Sequence, residues 1–163
     1  MPTAGAPIAG LLLTGGRSTR YGRDKGPVFG PRVADVLCQV ADPVHEVGPG
    51  WTSLPVVADP GDGPLRALAC APACGDALVL ACDLPLVSAD LLRWLADQPG
   101  TAIPVVEGRA QPLCARYSQR TLARAGAVVG RAMRDLLDAA DDVTYLDTSD
   151  WDPALFADVD SPA

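Results

Sequence analysis

The chain contains one lysine, one histidine and no long apolar run, and each scarcity narrows what it can be. No apolar stretch approaches the roughly 18–20 residues that a membrane-spanning helix needs. The N-terminal apolar stretch, Ile8 to Leu13, has no basic residue before it and is shorter than a signal-peptide core. A cytoplasmic location with no membrane partner is therefore expected. Positive charge is also in short supply. The 13 Lys and Arg are outnumbered by 20 Asp and Glu, for a net charge of -7, which argues against general nucleic-acid binding and the basic surface it requires. The five cysteines, Cys38, Cys70, Cys74, Cys82 and Cys114, are an odd number without the double CxxC of a zinc site. Cys70 and Cys74 could share a helix face, but Pro72 lies between them, so all five read as small buried thiols in a reducing compartment.

What the chain does have is the composition of an ordinary globular protein, with 48% hydrophobic and 20% charged residues. Its 163 residues suit a single domain spanning 1–163, with no internal repeat or dividing linker. Short apolar runs at Ile8–Thr14, Val44–Val47, Leu54–Ala58, Ala77–Cys82, Ala102–Val106, Leu113–Tyr117 and Val143–Leu146 predict strands. The first is continuous and ends in Gly15-Gly16, as suits a strand buried on both faces. Ser88 can cap a helix with Leu91, Leu92 and Leu95 on one face, stopped by Pro99-Gly100. Val129, Met133, Leu136, Leu137 and Ala140 form a second stripe at helical spacing, and Arg32–Ala41 and Leu65–Ala71 are weaker helix candidates. Strands alternating with helices indicate an α/β fold, a mostly parallel sheet flanked by helices, whose strand C-terminal ends are free to carry a site.

The positive charge is concentrated. Arg17, Arg20, Arg23 and Lys25 fall in one nine-residue stretch of an otherwise acidic chain, an arrangement that attracts an anion. That stretch belongs to Thr14-Gly15-Gly16-Arg17-Ser18-Thr19-Arg20-Tyr21-Gly22-Arg23-Asp24-Lys25, which follows the first strand directly. Glycines let backbone N–H groups approach a phosphate with no Cβ in the way, arginines add forked donors, and a lysine adds a compact charge. The loop is neither GxGxxG nor GxxxxGK[ST].

Leu13-Thr14-Gly15-Gly16-Arg17-Ser18-x-Arg20-x-Gly22-x-Asp24-Lys25 resembles the signature loop of the molybdenum cofactor guanylyltransferases, the MobA family, and their nucleotidyltransferase relatives. That signature is usually written LAGGxSxRMGxDK, so Thr14 and Tyr21 stand where it carries Ala and Met. Four further segments agree in order. Val57-Ala58-Asp59 followed by Gly63-Pro64-Leu65 resembles the nucleoside-binding stretch, and Ala81-Cys82-Asp83-Leu84-Pro85 resembles the metal-binding turn. Gln111-Pro112-Leu113 is similar to the strand usually reading His-Pro-Leu, and Asp158-Val159-Asp160-Ser161-Pro162 to the C-terminal motif.

The resemblance implies a Rossmann-like nucleotidyltransferase fold and transfer of GMP from GTP to the phosphate of molybdenum-bound molybdopterin, releasing pyrophosphate. It implies nucleotide binding by Leu13, Thr14, Gly15, Gly16, Arg17, Lys25, Asp59 and Asp83, with Lys25, Asp83 and Arg20 catalytic. Asp83 would hold Mg²⁺, a hard ion suited to oxygen ligands, and Asp160 is a second ligand or a substrate contact. Molybdoenzymes or their chaperones would receive the product, and a monomer or weak oligomer is expected. The lone lysine coincides with the phosphate-binding position, while the lone histidine, His45, lies in no motif. Three readings stay open: the guanylyltransferase, a cytidylyltransferase or other transferase of the same fold acting on another phosphorylated acceptor, and a degenerate nucleotide- or pterin-binding module. Gly15 favours guanine within the first two.

Overall fold

A computed structural model describes residues 7–15 and 25–159. The elements run β1 (Ala9–Leu13), α1 (Lys25–Cys38), β2 (Val44–Val47), β3 (Val56–Val57), α2 (Pro64–Cys70), β4 (Ala77–Ala81) and α3 (Ala89–Ala96). They continue with β5 (Thr101–Val106), β6 (Arg109–Ala110), β7 (Cys114–Tyr117), α4 (Gln119–Leu122), α5 (Met133–Ala139) and β8 (Val143–Asp147), closed by a 3₁₀ turn at Pro153–Phe156. One sheet has the order β3-β2-β1-β4-β7-β5-β6, with β8 paired to β5. The strands β3, β2, β1 and β4 are mutually parallel, whereas β7 is antiparallel to both β4 and β5. This is the mostly parallel α/β sheet that the alternation of strands and helices predicts.

Side-chain alternation along the strands divides the core in two. Leu12, Leu78 and Leu80 point to one face, where Val33 and Leu37 of α1 and Leu91, Leu92 and Leu95 of α3 cover them. Leu11, Leu13 and Val79 point to the other, under Leu65 and Leu68 of α2 and Leu136 and Leu137 of α5. All five residues of β1 are buried, as the continuous apolar run requires of a central parallel strand. Gly10 is needed there by contact, because a Cβ would stand 2.9 Å from Leu37 Cγ. Among the described residues no helix is long and apolar enough to cross a membrane.

The structure departs from the sequence expectations in several places. Helix α1 begins at Lys25 rather than Arg32. Its Gly-Pro composition looks like a loop, but Pro27 lies in the first turn, where no intrahelical donor is lost, and Pro31 is on the exposed side. Val129 does not join the helical stripe: it is 94% exposed, and the helix starts only at Met133, after Gly130 at φ 145° and an extended Ala132. Strand β6 was not expected. It forms because Glu107 and Gly108, both at positive φ (51° and 78°), close a tight hairpin from β5. The thiols are not all buried, since Cys38 and Cys70 are exposed at helix ends. Burial pushes the Cys114 thiol up to about 12, which leaves it unreactive.

The edge of the sheet opposite the strand C-termini is closed by a polar cluster. Thr101 Oγ1 donates to Thr121 Oγ1 at 2.9 Å, and the Ser118 and Thr121 hydroxyls both donate to the Asp142 carboxylate. Burial works to raise the Asp142 pKa, but these hydrogen bonds outweigh it and hold the carboxyl below the ordinary aspartate value.

Candidate functional site

Parallel strands bring their C-terminal ends to one edge, and here four such ends are tied to one another. The Thr14 amide donates to Val47 O at 3.1 Å, Gly48 N to Val57 O at 3.0 Å, and Cys82 N to Leu13 O at 3.1 Å. The residues that immediately follow β1, β2, β3 and β4 therefore line one continuous edge, the position where open α/β sheets bind ligands.

Leu13, Thr14, Gly15, Asp59 and Asp83 all lie along this edge. Gly15 and Asp59 are in direct contact: a Cβ on Gly15 would fall on Asp59 Oδ2. Gly15 has no positive φ, so its requirement for glycine comes from the neighbour and not from its own backbone. Asp59 is held in place by accepting from Gly61 N at 2.8 Å, a short-range turn bond that suits a residue entering a loop. Asp83 follows the end of β4 and is half-buried. Its carbonyl accepts from Val159 N at 3.2 Å, which ties the last described residue of the chain to this edge. Leu113 O accepts from Ala81 N at 2.8 Å, so the Gln111-Pro112-Leu113 segment lies beside the same strand end. Lys25 opens α1. Gly16, Arg17, Arg20 and Asp160 lie outside the described residues.

One residue at this edge escaped the sequence reading. Glu46, on β2, is fully buried, and its carboxylate collects five hydrogen bonds. The Thr14 hydroxyl donates to Oε1, joined by Gly50 N at 3.0 Å and Trp51 N at 2.7 Å. Thr52 donates to Oε2 through both its amide at 2.9 Å and its hydroxyl at 2.6 Å. Successive backbone N–H groups turned onto one anion form a small nest, and Gly50, at φ 95°, supplies the conformation that allows it. Burial drives the Glu46 carboxyl upward, but the bonds from Thr14, Thr52 and the Trp51 and Thr52 amides prevail, and its pKa lies below the ordinary glutamate value. The available signal was a single acidic residue inside the apolar run Val44–Val47, followed by Gly48-Pro49-Gly50.

His45 is half-buried on the same strand, in keeping with a histidine that belongs to no motif. The described residues hold no cluster of three or more His, Cys, Asp or Glu side chains able to enclose a metal ion.

Comparison with known proteins bears on the family and the fold. A Mycobacterium avium protein named "Probable molybdenum cofactor guanylyltransferase" is 34% identical over 162 residues, covering 82% of each chain. A protein of the same name from Bacillus cereus is 26% identical over 153 residues, covering 78% of this chain and 76% of its own. The crystal structure of molybdopterin-guanine dinucleotide biosynthesis protein A from Archaeoglobus fulgidus superposes with a TM-score of 0.74 at 21% identity, over 95% of this chain and 93% of that one, which shows a shared fold. The family model described as the MobA-like NTP transferase domain matches residues 10–143, so the resemblance of the glycine loop extends over most of the chain, and the chain belongs to that family.

Proposed function

We propose that this protein is a guanylyltransferase, transferring GMP from GTP to the phosphate of molybdenum-bound molybdopterin with release of pyrophosphate. The observation that carries the reading is the convergence of Gly15, Asp59 and Asp83 on one strand-end edge, with the cationic stretch of residues 16–25 following Gly15 directly in the sequence. The names borne by its relatives support the choice of substrates.

On this reading Arg17, Arg20 and Lys25 hold the triphosphate and neutralise its charge, and the Gly15-Gly16 backbone approaches it closely. Asp59 accepts hydrogen bonds from the nucleoside. Asp83 and Asp160 are the residues that would hold Mg²⁺, which supplies charge neutralisation at the α-phosphate when bound. The residues present fit such an ion, because Mg²⁺ needs only one or two carboxylates beside phosphate and water oxygens. The attacking group is a phosphate monoester with a second pKa near ~6, already mostly dianionic at neutral pH. No general base is required, consistent with an edge where carboxylates and cations, and no histidine, are assigned roles. The work left to the protein is positioning and electrostatic stabilisation. The product would pass to molybdoenzymes or their chaperones in the cytoplasm.

The deciding experiment measures pyrophosphate release with GTP and then CTP, with and without molybdenum-loaded pterin. Release with GTP that depends on the loaded pterin supports the proposal. Preference for CTP would assign the chain to a cytidylyltransferase, and no release with either would contradict the enzymatic reading.

A further inference from the structure

Strand β8 is parallel to β5, and β7 is antiparallel to both β5 and β4, so β8 ends at the same edge of the sheet as β4. From there residues 148–159 cross the edge to Asp83, and among the described residues they form no strand. Their attachments are spread along their length. The Thr148 hydroxyl donates to Val105 O at 2.6 Å, and Trp151 N donates to Thr148 O at 2.9 Å. The Trp151 ring meets that of Trp94 on α3, with centroids 5.4 Å apart and planes at 44°, a tilted pair of the kind that aromatic rings favour. Asp152 accepts from Ala154 N at 2.9 Å and caps the 3₁₀ turn. Phe156, at the end of that turn, is buried in the same core cluster as Leu84, Val87 and Leu91. At the far end Val159 N donates to Asp83 O at 3.2 Å.

Asp83 also opens the turn that leads into α3. Val87 N donates to Leu84 O at 3.2 Å, and Ser88 caps the helix. Helix α3 thus holds the Asp83 turn through its own N-terminus, and through Trp94 it holds the segment that grips the turn from the other side. Turn, helix and segment close a ring, and the tryptophan pair is its side-chain joint. Two of the chain's three tryptophans are used there, both half-buried at the margin of the core. A ring with two torsions brings a wide contact at little entropic cost, which suits a segment with no strand ladder to hold it.

We propose that Trp151 is a positioning residue, which docks residues 148–159 on α3 and so fixes the Asp83 main chain at the site edge. This rests on the reading of Asp83 as a residue that would hold Mg²⁺. A carboxylate that starts from a fixed backbone has less left to order when an ion arrives, which is how groups behind a ligand tune metal affinity. Trp151 also lines a groove with Val105, Gly108 and Tyr145, so the test leaves out the phosphorylated acceptor and with it any contact in that groove.

The test is calorimetric titration of the full chain with GTP, in excess Mg²⁺ and again in EDTA, with melting temperature as the check of folding. The parent should bind GTP more tightly with Mg²⁺ than without, and Asp83→Asn should remove that gain. Trp151→Ala should lose most of the same gain, up to roughly tenfold in affinity, the lower end of what removing the support behind a metal ligand costs. Its GTP affinity in EDTA should stay at the parent level. Trp151→Phe keeps an aromatic ring against Trp94 and should restore most of the gain. Trp94→Leu breaks the pair from the helix side and should reproduce the loss, and it takes the place of Trp151→Ala if that variant does not fold. A folded Trp151→Ala or Trp94→Leu with the parental gain, or one whose loss is equal in Mg²⁺ and EDTA, would overturn the inference while leaving the nucleotide site standing. A parent indifferent to Mg²⁺, or an Asp83→Asn variant that keeps the gain, would overturn the reading of Asp83, and this inference along with it.

Discussion

Adding one methyl group at Gly15 tests the candidate site more directly than removing a charge, because the structure says where the methyl must go. A Cβ there overlaps Asp59 Oδ2 and lies 2.9 Å from Asp59 Cγ and 3.3 Å from its Cβ. Gly15 has no positive φ, so among the described residues the nearest conflict is with the Asp59 side chain. The cheapest relief is rotation of that carboxylate, which breaks its 2.8 Å bond from Gly61 N. An exposed bond of this kind is worth about 0.5–1.5 kcal/mol, and an off-rotamer side chain adds a similar amount. Gly15→Ala should therefore destabilise the fold by about 1–2 kcal/mol, read as a shift in the urea midpoint at unchanged slope. If Asp59 accepts from the nucleoside, the displaced carboxylate forfeits a hydrogen bond to a charged acceptor, about 1.5–3 kcal/mol or roughly 10- to 100-fold in GTP affinity. The preference for GTP over CTP should narrow with it. The geometric half of the argument has its own control. In an Asp59→Ala background only the 3.3 Å approach to the Cβ of residue 59 remains, and Gly15→Ala should then cost about half its parental penalty or less, a coupling that only neighbours show. Equal destabilisation in both backgrounds would refute the contact. Parental GTP affinity in Gly15→Ala would refute the placement of the nucleoside against Asp59.

Three other outcomes are expected. Asp83→Asn keeps shape but removes charge and should slow transfer by about 10²-fold with an unchanged melting temperature; near-normal turnover with Mg²⁺ would mean that the ion is held elsewhere. Lys25→Ala should lower the single-turnover rate more than GTP affinity, because a phosphate-neutralising charge acts chiefly in the transition state, and Lys25→Arg should recover only part of the loss. Acid should weaken the fold through Glu46 and Asp142, both of whose carboxyls lie below their ordinary values of 4.5 and 3.8. A lowered native pKa contributes stability that is complete above the unfolded value and is lost as pH falls through the native one. Urea midpoints should therefore hold steady above about pH 5 and fall below it, and Glu46→Gln should show a shallower fall from a lower plateau.

Much of this protein is written locally in its chain. The apolar runs that became β1, β4 and β5 were legible because a strand covered on both faces must be apolar almost throughout, a demand each segment meets by itself, whereas β2, β7 and β8 carry polar residues and were marked by shorter apolar stretches alone. Ser88 reads as a helix cap and is one, accepting from Leu91 N at 3.2 Å, since capping is settled within four residues. The glycine- and arginine-rich loop, with the segments at Asp59, Asp83 and Gln111–Leu113, announced the family before any coordinate was known.

The tertiary structure decided what depends on neighbours distant in the chain. Helix α1 starts within a Gly-Pro stretch whose local preference is for a loop, because its apolar positions Val33 and Leu37 find Leu12 and Leu80 to cover and packing outweighs a weak propensity. Gly15 reads from sequence as a flexible phosphate-loop glycine, yet it is glycine because Asp59, 44 positions later, fills the space of its side chain. Glu46 looks in sequence like an intruder in an apolar strand. Only when β1 and β2 pair, and the turn after β2 folds back, do five donors surround it and make a buried charge tolerable. Periodicity and turn chemistry are properties of a segment, whereas the occupant of the space beside an atom is a property of the assembled sheet.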